Sequence, residues 1–198
     1  ATTEIYTLSL HDALPICPET LMIMLGLKDV AWQRMDKGRN GYRQRWFFEN
    51  ISILFDGADN MGVCVDMSGT GCRVFETYSI ISWQELIEIL YFSSEDYNVT
   101  RLDMAFDDHT GILDIDVLQD DTDDHMYVSR SRQWKVEYGS DGTTIYHGSP
   151  RSNMYIRIYD KAAERGLENV HWIRVEMQMR DEIAFGFLSG LINKPIGD

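Results

Sequence analysis

The chain is short of cysteine, of basic residues, of paired histidines and of long apolar runs, and each shortage removes a class of function. Its three cysteines, Cys17, Cys64 and Cys72, have no CxxC spacing, so neither a disulfide framework nor a zinc knuckle is supported. They are expected to be packing residues in a reducing compartment. No uninterrupted apolar stretch approaches the roughly 20 residues that span a bilayer, and the N-terminus lacks the basic start and apolar stretch of a secretory signal. The expectation is therefore a cytoplasmic protein with no membrane partner. The five histidines, His11, His109, His125, His147 and His171, are scattered; a paired-histidine metal site would need His-x-His or similar spacing. Each is expected in a loop or in solvent, and only His109 lies near enough to Asp107 and Asp108 to join a metal shell. Lys and Arg number 18 against 32 Asp and Glu, a net charge of −14. That balance counts against a nucleic-acid partner, because phosphate neutralisation supplies most non-specific DNA affinity.

The acid is concentrated, however. Asp114, Asp116, Asp120, Asp121, Asp123 and Asp124 form one run, expected to be a solvated surface segment, since it lacks the glycine and terminal glutamate of an EF-hand loop. Basic residues also cluster, at Arg43 and Arg45 and at Arg130, Arg132 and Lys135, so positive strips can exist on an acidic protein. At 198 residues with 44% hydrophobic content, the chain can bury one substantial core. The first sixteen residues, ATTEIYTLSLHDALPI, look foreign to the rest and resemble translated sequencing adapter. They are expected to be non-native, with a short strand and turn as the alternative. Truncation is expected at both ends.

Glu19 to Leu27 reads as a helix. Trp46 to Phe48, Ile51 to Phe55 and Gly62 to Met67 read as an antiparallel meander. Ser82-Trp83-Gln84-Glu85 has the form of a capping box opening a helix to about Phe92. Asn98 to Phe106 alternates as a strand with Leu102, Met104 and Phe106 on a core face, and with Arg101, Asp103 and Asp107 displayed on the other. Trp134 to Tyr138, Thr143 to His147, Met154 to Tyr159 and Trp172 to Met179 read as strands, the first two joined by a turn at Gly139-Ser140-Asp141-Gly142. A short helix follows Lys161, and Asp181 to Leu191 reads as a last helix. The fold class is α+β, a largely antiparallel central sheet with helices packed on one face.

Three strands alternate polar residues: Arg101, Asp103 and Asp107; Tyr155, Arg157 and Tyr159; Arg174, Glu176 and Gln178. Were these strands neighbours, they would form a wall of carboxylate, guanidinium and phenol. That set suits phosphodiester chemistry, in which a divalent cation or a base activates a phenol and arginines stabilise phosphoryl charge. Cross-strand ion pairs on a solvated sheet face explain the same residues. The segment SGTGCR, Ser68 to Arg73, lacks the GxxxxGK[ST] form of a phosphate loop, and its glycines fit a tight strand-to-helix turn.

Four blocks, Gly62 to Glu76 (GVCVDMSGTGCRVFE), Asn98 to His109 (NVTRLDMAFDDH), Gly142 to Ala163 (GTTIYHGSPRSNMYIRIYDKAA) and Trp172 to Glu182 (WIRVEMQMRDE), resemble in order and spacing the replication-initiation and relaxase family of rolling-circle plasmids, phages and conjugative elements. The likeness runs from about Leu25 to Leu191. It implies that residues 17–198 form a catalytic domain that nicks and religates one DNA strand at an origin, holding the 5′ end on a tyrosine. Carried over residue by residue, the family's RIYDK core falls on Arg157, Tyr159 and Lys161, with Tyr159 as nucleophile and Tyr155 in reserve. The acidic positions fall on Asp103, Asp107 and Glu176, implied to hold Mg²⁺ or Mn²⁺. Asp107 and Asp108 could instead shape the turn before Thr110. Arg101 and Arg174 are implied to contact phosphate or hold the carboxylates. The implied partners are origin DNA, single-stranded or extruded as a hairpin, a host helicase and a second copy of the chain. The implied setting is the cytoplasm of a bacterium carrying a mobile element. A non-catalytic origin-binding fragment and a metal phosphodiesterase that uses water are the alternatives.

Overall fold

A computed structural model of the chain describes residues 2–12, 17–93, 97–126, 131–140, 142–192 and 194. Arg130 and Asp141 lie outside the described residues. In chain order the elements are β1 (Thr2–Asp12), α1 (Pro18–Met24), β2 (Gln33–Met35), β3 (Gln44–Phe48), β4 (Ile51–Phe55), β5 (Cys64–Met67), α2 (Gly69–Tyr78), α3 (Trp83–Phe92) and β6 (Tyr97–Asp108). They continue as α4 (Ile115–Asp123), β7 (Trp134–Gly139), β8 (Gly142–His147), β9 (Met154–Asp160), α5 (Lys161–Glu164), β10 (Ile173–Arg180) and α6 (Asp181–Leu191). The result is the expected α+β architecture. No helix among the described residues is long and apolar enough to cross a membrane.

Backbone packing divides the chain into two compact units. The first comprises Ile5–Leu102 and Arg180–Ile196. Here β3, β4 and β5 form the expected antiparallel meander, β2 extends it beside β3, and β1 pairs antiparallel with β5. The stretch read as foreign thus supplies a strand, with Leu8 and Leu10 at 1% exposure. Phe48 pairs with Ile51 across the Glu49-Asn50 turn, where Glu49 takes a φ of 48°. Ile53 and Leu54 point to opposite faces of β4, yet both are wholly inaccessible, so β4 is buried on both sides and each such side chain contributes roughly 1.5–3 kcal/mol.

Two elements of this unit escaped the sequence reading, β2 and the full extent of α2. Helix α2 starts two residues after β5, as the tight strand-to-helix turn required. Gly71 answers a second demand: a Cβ there would lie 2.5 Å from the carbonyl oxygen of Asn50, so the helix approaches the β3–β4 turn at a distance only glycine permits. Of the cysteines, Cys64 and Cys72 are buried as expected, but Cys17 is exposed. It stands at the N-cap of α1, where packing requires nothing of it.

The second unit comprises Asp103–Met179 with the first residues of β1, up to Glu4. Strands follow one another in the order β6, β10, β9, β8, β7, with β10–β9, β9–β8 and β8–β7 antiparallel. The acidic run is the solvated surface segment expected, its six aspartates all exposed, and it is built as helix α4. Asp114 caps it by accepting from the backbone N–H groups of Asp116 and Val117 at 2.9 and 3.3 Å, which satisfies otherwise orphaned donors. The helix packs against β8 and β9. The Oγ1 of Thr143 meets Gln119 at 3.5 Å, so α4 covers the Thr143 face of the sheet and leaves the Thr144 face to other uses.

In α3, Ser82 Oγ accepts from the backbone N–H of Glu85 at 3.2 Å and Glu85 Oε2 accepts from the backbone N–H of Ser82 at 2.7 Å. Replacing Ser82 by Ala is expected to destabilise the protein by about 1 kcal/mol, lowering the thermal midpoint by roughly 2–4 °C. Thermal unfolding followed by circular dichroism checks this; an unchanged midpoint would mean that the cap is dispensable.

Candidate active site

Register brings the polar residues together. On β9 and β10, Tyr159 stands opposite Arg174, Arg157 opposite Glu176 and Tyr155 opposite Gln178. On β8, Thr144 and Tyr146 face Tyr159 and Arg157. Strand alternation puts all of these on one face, the face that α4 leaves open. The wall that required neighbouring strands is therefore built.

Glu176 is its hub. Tyr159 donates its hydroxyl to Oε1 at 2.8 Å, and Arg157 donates Nε to Oε2 at 3.1 Å, with Nη2 bonded to the same oxygen. The Arg157 guanidinium lies 5.0 Å and the Lys161 ammonium 5.3 Å from the centre of the Tyr159 ring. Lys161 is 6% exposed and paired with Glu164. It opens α5, where the carboxylate of Asp160 caps the backbone N–H of Ala163 at 2.9 Å. Arg157, Tyr159 and Lys161 thus form one cluster, as the RIYDK block implied. Tyr159 itself is 6% exposed. Burial, then the bond to Glu176, push its phenol well above the ordinary tyrosine range, against the opposing pull of Arg157. Its proton is therefore held at neutral pH.

Tyr155 is arranged differently. Its ring stacks on Tyr146, with centroids 5.9 Å apart and planes 9° from parallel, and burial raises its phenol. It belongs to an aromatic pair beside the Glu176 cluster.

The acid of β6 is not displayed as alternation suggested. Asp107 is 3% exposed and clamped: Arg174 Nε donates to Oδ1 at 2.7 Å, Arg174 Nη2 to Oδ2 at 2.6 Å, and the Trp172 indole N–H to Oδ1 at 2.5 Å. Burial works to raise this carboxyl, and the bonds from Arg174 and Trp172 overcome it and hold it below the ordinary range. Arg174 therefore holds a carboxylate. Asp108 shapes the turn: Oδ1 accepts from Thr110 N–H and Oγ1 at 2.8 and 2.6 Å, and Oδ2 accepts from the Leu113 N–H at 2.7 Å. His171, expected in a loop or in solvent, lies 3.3 Å from Asp108 Oδ2. His109 packs against the Trp172 ring at 5.1 Å. Trp172, Glu164 and Tyr146 escaped the sequence reading because attention to charged alternation passes over a tryptophan at a strand's edge, a glutamate in a one-turn helix and a tyrosine in an uncharged strand.

The carboxylates assigned to a cation do not fit one as they stand. Both oxygens of Asp107 and both of Glu176 already accept hydrogen bonds from guanidinium, indole or phenol. Asp103 is half-buried, four residues back along the Asp107 face of β6. Among the described residues no group of three or more His, Cys, Asp or Glu side chains could hold a metal ion. Arg101 lies on the part of β6 that belongs to the first unit.

In front of Tyr159 a cleft of about 400 Å³ opens, lined by Arg157, Tyr159, Thr144, Tyr146, Glu137 and Glu164 among others. A phenol, a guanidinium and a carboxylate acceptor on one half-open wall are suited to attack on a phosphodiester.

A family model described as "Replication initiation factor" matches residues 97–196, half of the chain, and a second, "Rolling Circle replication initiation protein N-terminal domain", matches residues 16–91. The chain belongs to the replication initiation factor family. It is 29% identical over 192 aligned residues to the Bacillus subtilis (strain 168) protein named "Putative DNA relaxase NicK", a match covering 88% of this chain and 53% of that protein. The chain thus spans about half the length of that relative. Among solved structures it resembles the rolling circle replication initiator protein from Geobacillus stearothermophilus, with a TM-score of 0.83 and 29% identity over 97% of this chain and 79% of that one. Tyr159, Arg157, Glu176, Asp107 and Arg174 of this replication initiation factor all fall within the 97–196 match.

Two predictions follow from the buried charges. Asp107→Asn removes the carboxylate that Arg174, itself 6% exposed, holds through two bonds, leaving Glu4 at 3.8 Å as a more distant ion-pair partner, and should destabilise the protein by up to roughly 3–5 kcal/mol, read as the loss in urea-unfolding free energy; a change under about 1 kcal/mol would show that Glu4 takes over the charge. The second concerns alkaline pH. Burial pushes the Tyr42 phenol up to about 12, and Tyr159 is also raised. A raised folded pKa gives stability that is complete below the unfolded value near 10 and is lost as pH climbs through the folded one. The denaturation midpoint should therefore fall between about pH 10 and pH 12, and less steeply in Tyr159→Phe.

Proposed function

We propose that this chain nicks and religates one DNA strand at a replication or transfer origin, through a covalent 5′-phosphotyrosine on Tyr159. The observation that carries the proposal is the hydrogen bond from the Tyr159 hydroxyl to Glu176 Oε1 at 2.8 Å, with the Arg157 guanidinium beside it and open cleft in front. The Tyr159 oxygen attacks the phosphorus, the phosphorus–O3′ bond breaks, the phenol proton passes to Glu176, and the departing 3′ oxygen takes a proton from water. Positive charge from Arg157 and Lys161 over the ring favours the phenolate, and Arg157 can turn one donor to the phosphoryl oxygens. Religation is the reverse, with Glu176 returning the proton.

Origin DNA, single-stranded or extruded as a hairpin, is the proposed substrate, carried over from the family together with a bacterial cytoplasmic setting, a host helicase and a second copy of the chain as partners. For Mg²⁺ or Mn²⁺ to bind Asp103, Asp107 and Glu176, Arg174 and Arg157 would first have to give up their carboxylates. The proposal assigns charge compensation at the phosphate to Arg157 and Lys161.

Incubating the protein with a labelled single-stranded origin library, followed by a denaturing gel, should give a protein–DNA adduct that disappears in Tyr159→Phe. Glu176→Gln should slow its formation by roughly 10²- to 10⁴-fold. Cleavage without an adduct would favour the phosphodiesterase that uses water, and binding without cleavage would favour the origin-binding fragment. An adduct that persists in Tyr159→Phe would move the nucleophile to Tyr155. A parallel arm with chelator reads the cation: loss of the adduct there, restored by Mn²⁺, would mean that one of the two arginines releases its carboxylate.

A further inference from the structure

We infer that the cleft beside Tyr159 is a subsite for a single unpaired nucleotide, whose base stacks on Tyr146 with Tyr155 packed behind it. The inference rests on the nicking proposal for its substrate and on independent geometry for its form. Tyr146 lines the cleft and Tyr155 does not, while the two rings are stacked 9° from parallel. Tyr146 is thus backed by Tyr155 and borders the cleft. Its hydroxyl is bonded to Glu137, and Glu137 is in turn paired with Lys135, so the ring is held at both its face and its tip. A fixed aromatic ring bordering an open cavity is a stacking platform, and it is sequence-tolerant because every base has a π-face.

Charge sorts the nucleotide within the cleft. Arg157 is the cation among the cleft's lining residues and takes the phosphate, while the carboxylates of Glu137 and Glu164 disfavour a phosphate elsewhere. The uncharged residues Thr144 and Ser140 leave room for a base and sugar. A volume of about 400 Å³ suits one small ligand rather than a duplex, so the base must leave its stack to enter, at a cost of a few kcal/mol that is smallest for DNA already single-stranded. The β8 strand thereby confers a preference for unpaired DNA at the residue next to the scissile phosphate. Tyr155, the reserve nucleophile by position, becomes a positioning residue that acts through Tyr146.

The test uses Tyr159→Phe protein, so that binding is read without chemistry, and a single-stranded oligonucleotide pool randomised on both sides of one fixed 2-aminopurine. Stacking quenches 2-aminopurine fluorescence. Quenching is expected with Tyr159→Phe alone, retained when Tyr146→Phe is added, and lost with Tyr146→Ala, where affinity falls roughly 5- to 100-fold. Tyr155→Ala should weaken quenching by a smaller factor. Near-ultraviolet circular dichroism confirms that each variant is folded. Absence of quenching, or quenching that survives Tyr146→Ala in folded protein, overturns the subsite. Adduct formation by the wild-type chain is scored separately: an adduct without quenching leaves the nickase standing and removes the platform, whereas quenching without an adduct does the reverse.

Discussion

One carboxylate organises the polar face of this protein. Glu176 receives the Tyr159 phenol on one oxygen and the Arg157 guanidinium on the other, and the register of β9 against β10 puts Arg157 directly opposite it. A buried tyrosine beside an unpaired carboxylate would be expensive, and so would a half-buried arginine facing only phenol rings. Shared among the three, each group's polar atoms are satisfied. The arrangement depends on strand pairing alone: a slip of one residue would send Glu176 to the α4 face and dissolve the cluster. The long β8–β9–β10 ladder is therefore as much a part of the chemistry as the side chains it carries.

A net charge of −14 and the proposed DNA substrate are reconciled by where the charges stand. The acidic run is gathered on α4, on the covered side of the sheet, and Asp107 and Glu176 are each neutralised by an arginine. Arg157 and Tyr159 line the cleft together with the carboxylates of Glu137 and Glu164, so its charge is mixed rather than wholly acidic. Weak global attraction to DNA then matters less than local fit, which agrees with a substrate recognised as an unpaired strand rather than gripped along a duplex.

The strands were readable because their signals are local. Period-two alternation located β3, β4, β6, β8, β9 and β10 to within a few residues, and the Ser82 and Glu85 pair located α3. Where the reading failed, long-range contacts decided. Helix α4 is a poor helix by composition, dense in aspartate, and is stabilised by its Asp114 cap and by packing on β8 and β9. Gly71 is explained by a carbonyl some twenty residues earlier in the chain. Asp107 alternates with exposed positions on paper, yet it is buried because Arg174 and Trp172, more than sixty residues later, close over it. Periodicity shows which face a residue takes but not what covers that face. For the same reason the family blocks pointed to Tyr159, Arg157 and Lys161 as one group and to Glu176 as a metal ligand, while the contact that joins Glu176 to Tyr159 and Arg157 depends on strand register that the blocks do not carry.

The raised phenol of Tyr159 is at first sight a poor start for a nucleophile. Its height comes first from burial and then from Glu176, with the Glu164 charge adding to both, and substrate would act on them differently. In the proposed reaction a phosphodiester placed beside Arg157 would draw one guanidinium donor away from Glu176, leaving that carboxylate richer in charge and a better acceptor for the phenol proton. Its phosphorus would bond the phenolic oxygen as the proton leaves, so charge would not have to accumulate on a free phenolate. In the resting protein, by contrast, Arg157 keeps Glu176 occupied and Tyr159 keeps its proton. On the proposed function the cluster is thus stable when idle and becomes reactive only when the ligand competes for the arginine, which would restrain attack on other targets.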